Sequence, residues 1–178
     1  MIEIKPSNVK FNKKEFNDFQ KELGISFPNE YIKFLEKNNG GTPELNIVEL
    51  QNEEIKSFSV TDFFGVNNVK IYDLKSQYET YKERIPSGNI PICRVDGGNI
   101  ICLNIDNGVI SLWDHDTELI NEEVSSTNSL LKVARNFEEF LSIMKPLYRH
   151  HKDDLDDYKV EDLWIDPDFL KKLENNKD

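Results

Sequence analysis

Apolar side chains recur every three or four residues in four stretches of the chain, the spacing that is typical of amphipathic helices. Asn12, Asp73 and Asn136 precede three of these stretches, where their side chains can accept hydrogen bonds from the first free N–H groups of a helix. Gly24 and the segment 38–41 are suited to the left-handed backbone that ends one. The pattern predicts helices that begin at Asn12, Pro28, Asp73 and Phe137 and end near Gly24, Asn38, Arg84 and Leu147, the last one stopping or bending at Pro146.

The middle of the chain changes to short apolar runs separated by turn residues. Gly97-Gly98 and Asn107-Gly108 are typical of two-residue hairpin turns, which need a positive φ. The runs predict strands at Leu45–Leu50, Ile55–Val60, Ile90–Val95, Ile100–Ile105 and Val109–Asp114. Two symmetric turns would make the last three a meander that pairs Ile92 with Leu103, Leu103 with Leu112, and Cys93 with Cys102, with Trp113 next in the cysteine row.

These elements predict an α+β protein with a central antiparallel sheet packed by helices. Its 178 residues, 38% of them hydrophobic, are enough for one domain with a real core. The domain is expected at 1–147, followed by an acidic extension at 148–178 in which Asp166-Pro167 begins a short helix. The extension is expected to pack on the domain, and an acidic arm that binds a basic partner is the alternative. The predicted shared core contains Phe16, Phe34, Leu35, Leu103, Leu112 and Phe140.

The net charge of -11 narrows the range of partners. So acidic a surface repels phosphate backbones and anionic lipids, which argues against nucleic acid and membranes, and it attracts basic proteins. The N-terminus shows no signal-peptide pattern and no run approaches the roughly 20 apolar residues of a spanning helix, so a cytoplasmic location is expected. Cys93 and Cys102 match no zinc spacing. In the reducing cytoplasm they are expected to be free thiols, and under oxidation they could form a cross-strand disulfide.

Two groups of titratable residues stand out. Asp114-His115-Asp116 ends a predicted strand, and its histidine fits either a partner-facing, pH-sensitive position or a hydrogen-bonded loop residue that closes the meander. His150-His151 precedes an acidic run, 153–157, which is more typical of a solvated segment than of a metal site because adjacent histidines on a helix diverge. No nucleophile–base pair, carboxylate pair or phosphate loop is evident. The sequence therefore predicts a binding protein without catalytic residues, metal or cofactor.

Three segments together resemble the SUKH superfamily. They are the run from Leu23 to Pro43, the block from Ile90 to Asp116 with its Asp-Gly-Gly turn and Trp-Asp-His ending, and the helix that contains Phe137, Phe140 and Leu141. The resemblance covers roughly residues 10–147 and implies an α+β domain. Bacterial members are mostly immunity proteins that neutralise a cognate toxin, often a nuclease, whereas some fungal relatives regulate cell-wall assembly.

The resemblance and the charge together predict the partner surface. We expect an immunity protein that binds a basic toxin domain, and a non-enzymatic regulatory scaffold is the alternative. The chain itself is expected to be a monomer. The predicted contact residues are Asp114, His115, Asp116, Asp153, Asp154, Asp156 and Asp157.

Overall fold

The computed structural model describes residues 2–50, 55–118 and 130–146. The helices are α1 (Lys13–Leu23), α2 (Asn29–Asn38), α3 (Leu74–Tyr81) and α4 (Phe137–Ser142), with 3-10 turns at Lys70–Tyr72, Asp96–Gly98 and His115–Glu118. The strands are β1 (Ile4–Lys5), β2 (Thr42–Pro43), β3 (Ile47–Glu49), β4 (Ser57–Phe63), β5 (Asn89–Val95), β6 (Ile100–Asn104), β7 (Ile110–Trp113) and β8 (Leu130–Ala134). The predicted acidic extension lies outside the described residues, and the domain boundary at 147 stays a prediction.

The predicted α+β class is confirmed. Six strands form one antiparallel sheet in the order β3-β4-β5-β6-β7-β8, and β1 pairs with β2 in a small second sheet. Each strand of the large sheet therefore lies beside its neighbour in sequence, which is the predicted meander extended by three further strands. None of the helices in the described ranges is long and apolar enough to cross a membrane.

The two faces of the large sheet carry different side chains. One row across it contains Phe63, Cys93, Ile101 and Leu112. The Phe63 ring contacts the rings of Phe34, Phe137 and Phe140, so α2 and α4 cover this face. The opposite row contains Asp62, Arg94, Ile100 and Trp113. Here the Tyr81 ring of α3 meets Trp113 edge-on at 5.6 Å. Helices on both faces make a core of two layers around the sheet.

The predicted core is confirmed. All six of its residues are buried and belong to one continuous hydrophobic cluster, with Phe34 the most exposed at 6%. Aromatic rings dominate the α2–α4 side, where Phe137 lies edge-on to Tyr31 and Phe34 with both ring centroids at 5.0 Å. Such edge-to-face contacts stabilise the core beyond the burial of area alone.

The helix starts follow the predicted capping. Asn12 Oδ1 accepts hydrogen bonds from the N–H groups of Lys14 and Glu15, and Glu15 accepts one from the Asn12 amide. Phe11 packs on Phe16 at 5.5 Å, as expected of a hydrophobic staple. Asp73 and Asn136 cap α3 and α4 in the same way, and the ends of α1 and α2 are left-handed at Gly24 and Asn39.

The predicted register of the meander is wrong. In the structure Cys93 lies opposite Ile101 instead of Cys102, which faces Pro91. Leu103 pairs with Ile90 and with Ile110, each two residues from the predicted partners Ile92 and Leu112.

Turn length and a bulge explain the difference. The β5–β6 turn has three residues instead of two, because the N–H of Val95 donates to the carbonyl of Asn99 at 3.1 Å. Ile92 is then an extra residue in β5, and this bulge shifts the register once more. The longer turn and the bulge each shift the register by one residue. The total shift of two residues is even, so Ile90 and Leu103 still share a face. The β6–β7 loop has four residues, 105–108, and its even length also leaves the face unchanged.

Helix α4 ends at Ser142, five residues before the predicted Leu147. Lys145 is instead extended and exchanges two backbone hydrogen bonds with Ile47, of 3.0 and 2.8 Å. Proline disfavours helical backbone at the residue before it, so Pro146 explains why Lys145 leaves the helix. Helix α3 likewise ends at Tyr81, before the predicted Arg84, and Lys82–Arg84 forms a turn.

Candidate partner-binding surface

The predicted contact residues Asp114, His115 and Asp116 directly follow β7, where the chain enters a 3-10 turn. Trp113, the last residue of β7, is fully buried and pairs with Ile100. This pairing places the three residues beside the β5–β6 turn, at one end of the large sheet. Asp116 is the most exposed of them, with 78% of its side chain accessible, whereas His115 is 34% accessible.

His115 connects this segment to the neighbouring hairpin. Its backbone N–H donates to Oδ1 of Asn99 at 3.2 Å, and its Nδ1 lies 2.7 Å from the same oxygen. Its Nε2 lies 3.2 Å from Oδ1 of Asp116. The ring also packs on Gly98, where a Cβ atom would lie 3.4 Å from Cε1. The histidine therefore has the structural role of closing the meander, and any role in partner binding or pH response stays a prediction.

Ligand atoms of Asp114, His115 and Asp116 lie within 4.8 Å of one another. A cation could approach such a group, but both ring nitrogens of His115 already face oxygen atoms of Asn99 and Asp116. A metal ion bound through the ring would have to displace one of these contacts. The arrangement is explained by hydrogen bonding, and exposed acidic groups commonly occur without an ion.

A third carboxylate belongs to the same end of the sheet. Asp96 opens the β5–β6 turn, is exposed, and accepts a 2.9 Å hydrogen bond from the N–H of Ser59 in β4. We call Asp96, Asp114 and Asp116 the acidic corner. Each lies on a short turn fixed by the sheet, and Asp114 Oδ1 additionally accepts from the Asp116 N–H at 3.0 Å. The corner can offer pre-positioned carboxylates to a basic partner with little loss of backbone freedom.

The second predicted group, Asp153, Asp154, Asp156 and Asp157, lies outside the described residues, so the structure does not test it. The described ranges hold 19 of the 33 acidic and 16 of the 22 basic residues, an excess of three negative charges against eleven for the whole chain. Most of the charge that predicts a basic partner thus comes from segments outside the described ranges, 148–178 above all.

A buried polar cluster, which we call the node, lies around Asn39 at the end of α2. Asn39 is 2% exposed and donates from Nδ2 to the carbonyls of Val9, at 3.0 Å, and Val66, at 2.9 Å. Its Oδ1 accepts from the Val66 N–H at 2.8 Å. A Cβ atom on Gly65 would lie 2.0 Å from the Asn39 carbonyl oxygen, and one on Gly41 would lie 2.2 Å from that of Lys5. The Asn-Gly-Gly segment therefore joins three chain segments by close backbone approach, and its role is structural.

The two cysteines are free and fully buried. Their strand partners, Ile101 for Cys93 and Pro91 for Cys102, place them on opposite faces of the sheet. Burial raises the pKa of both thiols. A buried, protonated thiol is a poor nucleophile, and neither cysteine belongs to a catalytic arrangement among the described residues.

Sequence reasoning missed a pair of exposed apolar side chains. Val69 is 60% and Ile71 54% exposed, and they are the exposed large hydrophobic residues of the described ranges. They lie on either side of Lys70 at the 3-10 turn before α3. Apolar residues in a sequence are normally predicted to be buried. Val69 and Ile71 are only two residues apart and belong to no periodic pattern that would indicate exposure.

Comparison with known proteins agrees with this architecture. The chain matches the family described as "SMI1 / KNR4 family (SUKH-1)" over residues 10–143. It is also similar to the "SPbeta prophage-derived uncharacterized protein YokK" of Bacillus subtilis (strain 168), at 34% identity over 94 residues. That alignment covers 52% of this chain and 45% of the relative, so the chain spans less than half of the relative's length. The family match covers most of the chain, including the four helices and the large sheet of the described residues, and the protein therefore belongs to the SMI1 / KNR4 (SUKH-1) family.

Proposed function

We propose that this protein is an immunity protein that binds a cognate, basic toxin domain in the cytoplasm and blocks its activity without catalysing a reaction. Membership of the SMI1 / KNR4 (SUKH-1) family is the observation that carries the proposal. The curated relative is bacterial, which favours the immunity role of bacterial members over the regulatory role of the fungal ones.

The acidic corner supplies the chemistry for such binding. Its carboxylates stand on turns that the sheet fixes, and Asp116 is largely exposed. A nuclease toxin is basic where it holds nucleic acid, so an acidic inhibitor can occupy or shadow that groove. The run 153–157 adds four further aspartates by sequence. In this proposal the corner and that run attract the toxin together and determine how fast it is captured.

The surroundings of His115, beside the corner, also favour binding over catalysis. Its two ring nitrogens face oxygen atoms of Asn99 and Asp116, and its polar contacts among the described residues include no hydroxyl or thiol nucleophile. Both thiols are buried on the sheet. General-base catalysis needs the base within reach of a proton to be abstracted, and no described partner of His115 supplies one.

The proposal predicts that a gene beside this one encodes a toxin domain, and that domain is used for the test. The purified full chain should form a stable complex with that domain and should abolish its activity near equimolar ratio. The triple variant Asp96→Asn, Asp114→Asn and Asp116→Asn keeps the hydrogen-bond acceptors of the corner but removes its charge, so binding should weaken. Glu138→Gln, which removes one exposed carboxylate on α4 outside the corner, is the control for a change of charge elsewhere on the surface. A toxin that stays fully active beside excess protein, with no complex on a sizing column, would contradict the immunity role.

A further inference from the structure

Two asparagines of this chain precede a glycine, in the pairs Asn39-Gly40 and Asn107-Gly108, and the sequence contains no other such pair. An asparagine in this context can lose its side-chain amide spontaneously, because the next backbone nitrogen attacks its Cγ atom and closes a five-membered succinimide ring. Glycine favours this reaction, since it has no side chain to hinder the attacking nitrogen. The two pairs are chemically alike, so a difference in their reactivity comes from the fold.

Asn107 lies exposed in the β6–β7 loop, where its side chain has room to close the ring. Its Oδ1 accepts from the Val109 N–H at 2.9 Å, and its backbone N–H donates to Oδ1 of Asn104 at 3.2 Å. Among the described contacts its Nδ2 donates to no protein group. A Cβ atom on Gly108 would meet nothing within 4 Å, so solvent can reach the reacting atoms.

Two hydrogen bonds of this loop act on the reaction in opposite directions. The Gly108 N–H donates to the Asn104 carbonyl at 2.9 Å, and this bond must open before the nitrogen can attack. The loop is exposed and water can replace the bond, so only a local opening is needed. The Val109 N–H, in contrast, donates to the oxygen on which negative charge develops during the attack, and a donor in that position stabilises the charge.

Asn39 has the same neighbour in sequence but the opposite surroundings. It is 2% exposed, and its side-chain amide makes three hydrogen bonds to backbone groups. A Cβ atom on Gly40 would lie 2.6 Å from the Phe63 carbonyl oxygen and 2.9 Å from the Gly65 nitrogen, so a succinimide ring and an attacking water molecule have no room. Ring closure at Asn39 therefore requires the node to open, and opening of the core approaches global unfolding in free energy.

We propose that Asn107 is a site of spontaneous deamidation in the folded protein and that the node protects Asn39 from the same reaction. In the first step the bond from the Gly108 nitrogen to Asn107 Cγ forms, and the Gly108 proton passes to solvent. The bond from Cγ to Nδ2 breaks, and ammonia leaves with a proton taken from water. Water then opens the succinimide at either carbonyl, which leaves aspartate or isoaspartate at position 107. Water is the co-reactant, and nothing is oxidised or reduced.

The product differs from the starting chain in charge and in backbone. Both forms add a negative charge next to Asp106. Isoaspartate also leads the main chain through the former side-chain methylene, so the loop at 105–108 becomes one bond longer and its hydrogen bonds must rearrange. Strand β6 separates this loop from the β5–β6 turn, so the new charge lies at the opposite end of that strand from the acidic corner.

The inference goes beyond the proposed immunity role and is tested without a toxin. The full chain is incubated at mildly alkaline pH in water labelled with a heavy oxygen isotope, both folded and in concentrated urea, until the urea sample has reacted. Peptide mapping by mass spectrometry then follows both positions. In urea the two pairs should react at similar rates. In the folded chain Asn107 should gain labelled carboxylate, and Asn39 should react at least about a hundredfold more slowly.

One variant and one titration separate the two sites. Asn107→Gln keeps the amide but cannot close a five-membered ring, so labelling at position 107 should disappear and Asn39 should be unaffected. In wild type, urea below the unfolding midpoint should accelerate the reaction at Asn39 steeply, because opening the node exposes much surface. The rate at Asn107 should change little over the same range, because opening of the loop exposes little additional surface.

An Asn107 that stays intact in the folded chain while the urea sample converts overturns the proposal, since the hydrogen bonds of the loop then protect it. Equal rates at Asn39 and Asn107 in the folded chain contradict the protection by the node.

Discussion

Asn39 and the acidic corner are both polar, turn-forming parts of the chain, but they have opposite surroundings. Asn39 is 2% exposed and makes three hydrogen bonds to backbone groups of distant segments. Asp116 is 78% exposed and bonds to its own sequence neighbours. A buried polar side chain is retained where it satisfies backbone groups that nothing else reaches, whereas an exposed carboxylate remains available to a partner. Changes at the first should alter stability, and changes at the second should alter binding.

The largest effect is expected from Gly65→Ala. Its Cβ would lie 2.0 Å from the Asn39 carbonyl oxygen, and because that oxygen belongs to the backbone the chain must shift. We expect a loss of at least about 3 kcal/mol in the free energy of unfolding, measured by urea denaturation. Gly97→Ala at the corner is the control, since its Cβ meets nothing within 4 Å and only the positive φ of 71° opposes it. It should cost about 1–2 kcal/mol. Equal losses would show that the node is not tightly packed.

Asn39→Ala is expected to follow. It leaves the Val66 N–H and the carbonyls of Val9 and Val66 without their side-chain partner in the interior. The expected loss is about 2–4 kcal/mol in the same denaturation experiment. The matched change Asn99→Ala removes the contact to half-exposed His115 at the corner, where water can replace it, and should cost less than about 1 kcal/mol. The contrast between node and corner fails if the order of the two losses is reversed.

Tyr31→Phe is expected to have a smaller effect on the free energy of unfolding, and in the opposite direction. The Tyr31 hydroxyl is fully buried among aromatic rings and has no hydrogen-bond partner among the described residues. Burial, with a contribution from Cys93, raises its pKa well above the ordinary value. Removing an unsatisfied hydroxyl while keeping the ring should leave stability unchanged or increase it by up to about 1 kcal/mol. A melting temperature below that of the wild type would mean that the hydroxyl has a partner, such as a buried water molecule.

The sequence predicts the helix starts of this fold better than it predicts the pairing of the strands. Asn12, Asp73 and Asn136 mark helix starts because a cap depends only on the three following residues. The register of β5 and β6 depends on one hydrogen bond at Val95 and on a bulge at Ile92, and no residue pattern signals either. Strand β8 was missed because Leu130–Ala134 shows no alternation of apolar and polar residues and directly precedes a helix cap.

The candidate surface was predictable only in part. The sequence identified Asp114–Asp116 as a strand-end group, but the addition of Asp96 required the turn to be located beside it. Exposure of Val69 and Ile71 follows from how the segment after β4 is joined to Gly65 and Asp73, which are tertiary contacts. A single sequence carries the type of a side chain but not its accessibility.

The rate at which this protein associates with the proposed toxin partner tests the proposed immunity role and its electrostatic basis most directly. Stopped-flow association with the toxin domain that the complex-formation test identifies should be measured at about 0.05 M and about 0.5 M salt, where the screening lengths differ about threefold. The corner variant Asp96→Asn, Asp114→Asn and Asp116→Asn, and a variant with the four aspartates of 153–157 changed to asparagine, are compared with wild type and Glu138→Gln. Both charge-neutralised variants should associate several-fold more slowly at low salt, the larger loss falling on the 153–157 variant, and the difference should shrink at high salt. Association that is insensitive to salt and to all seven charges would contradict the account.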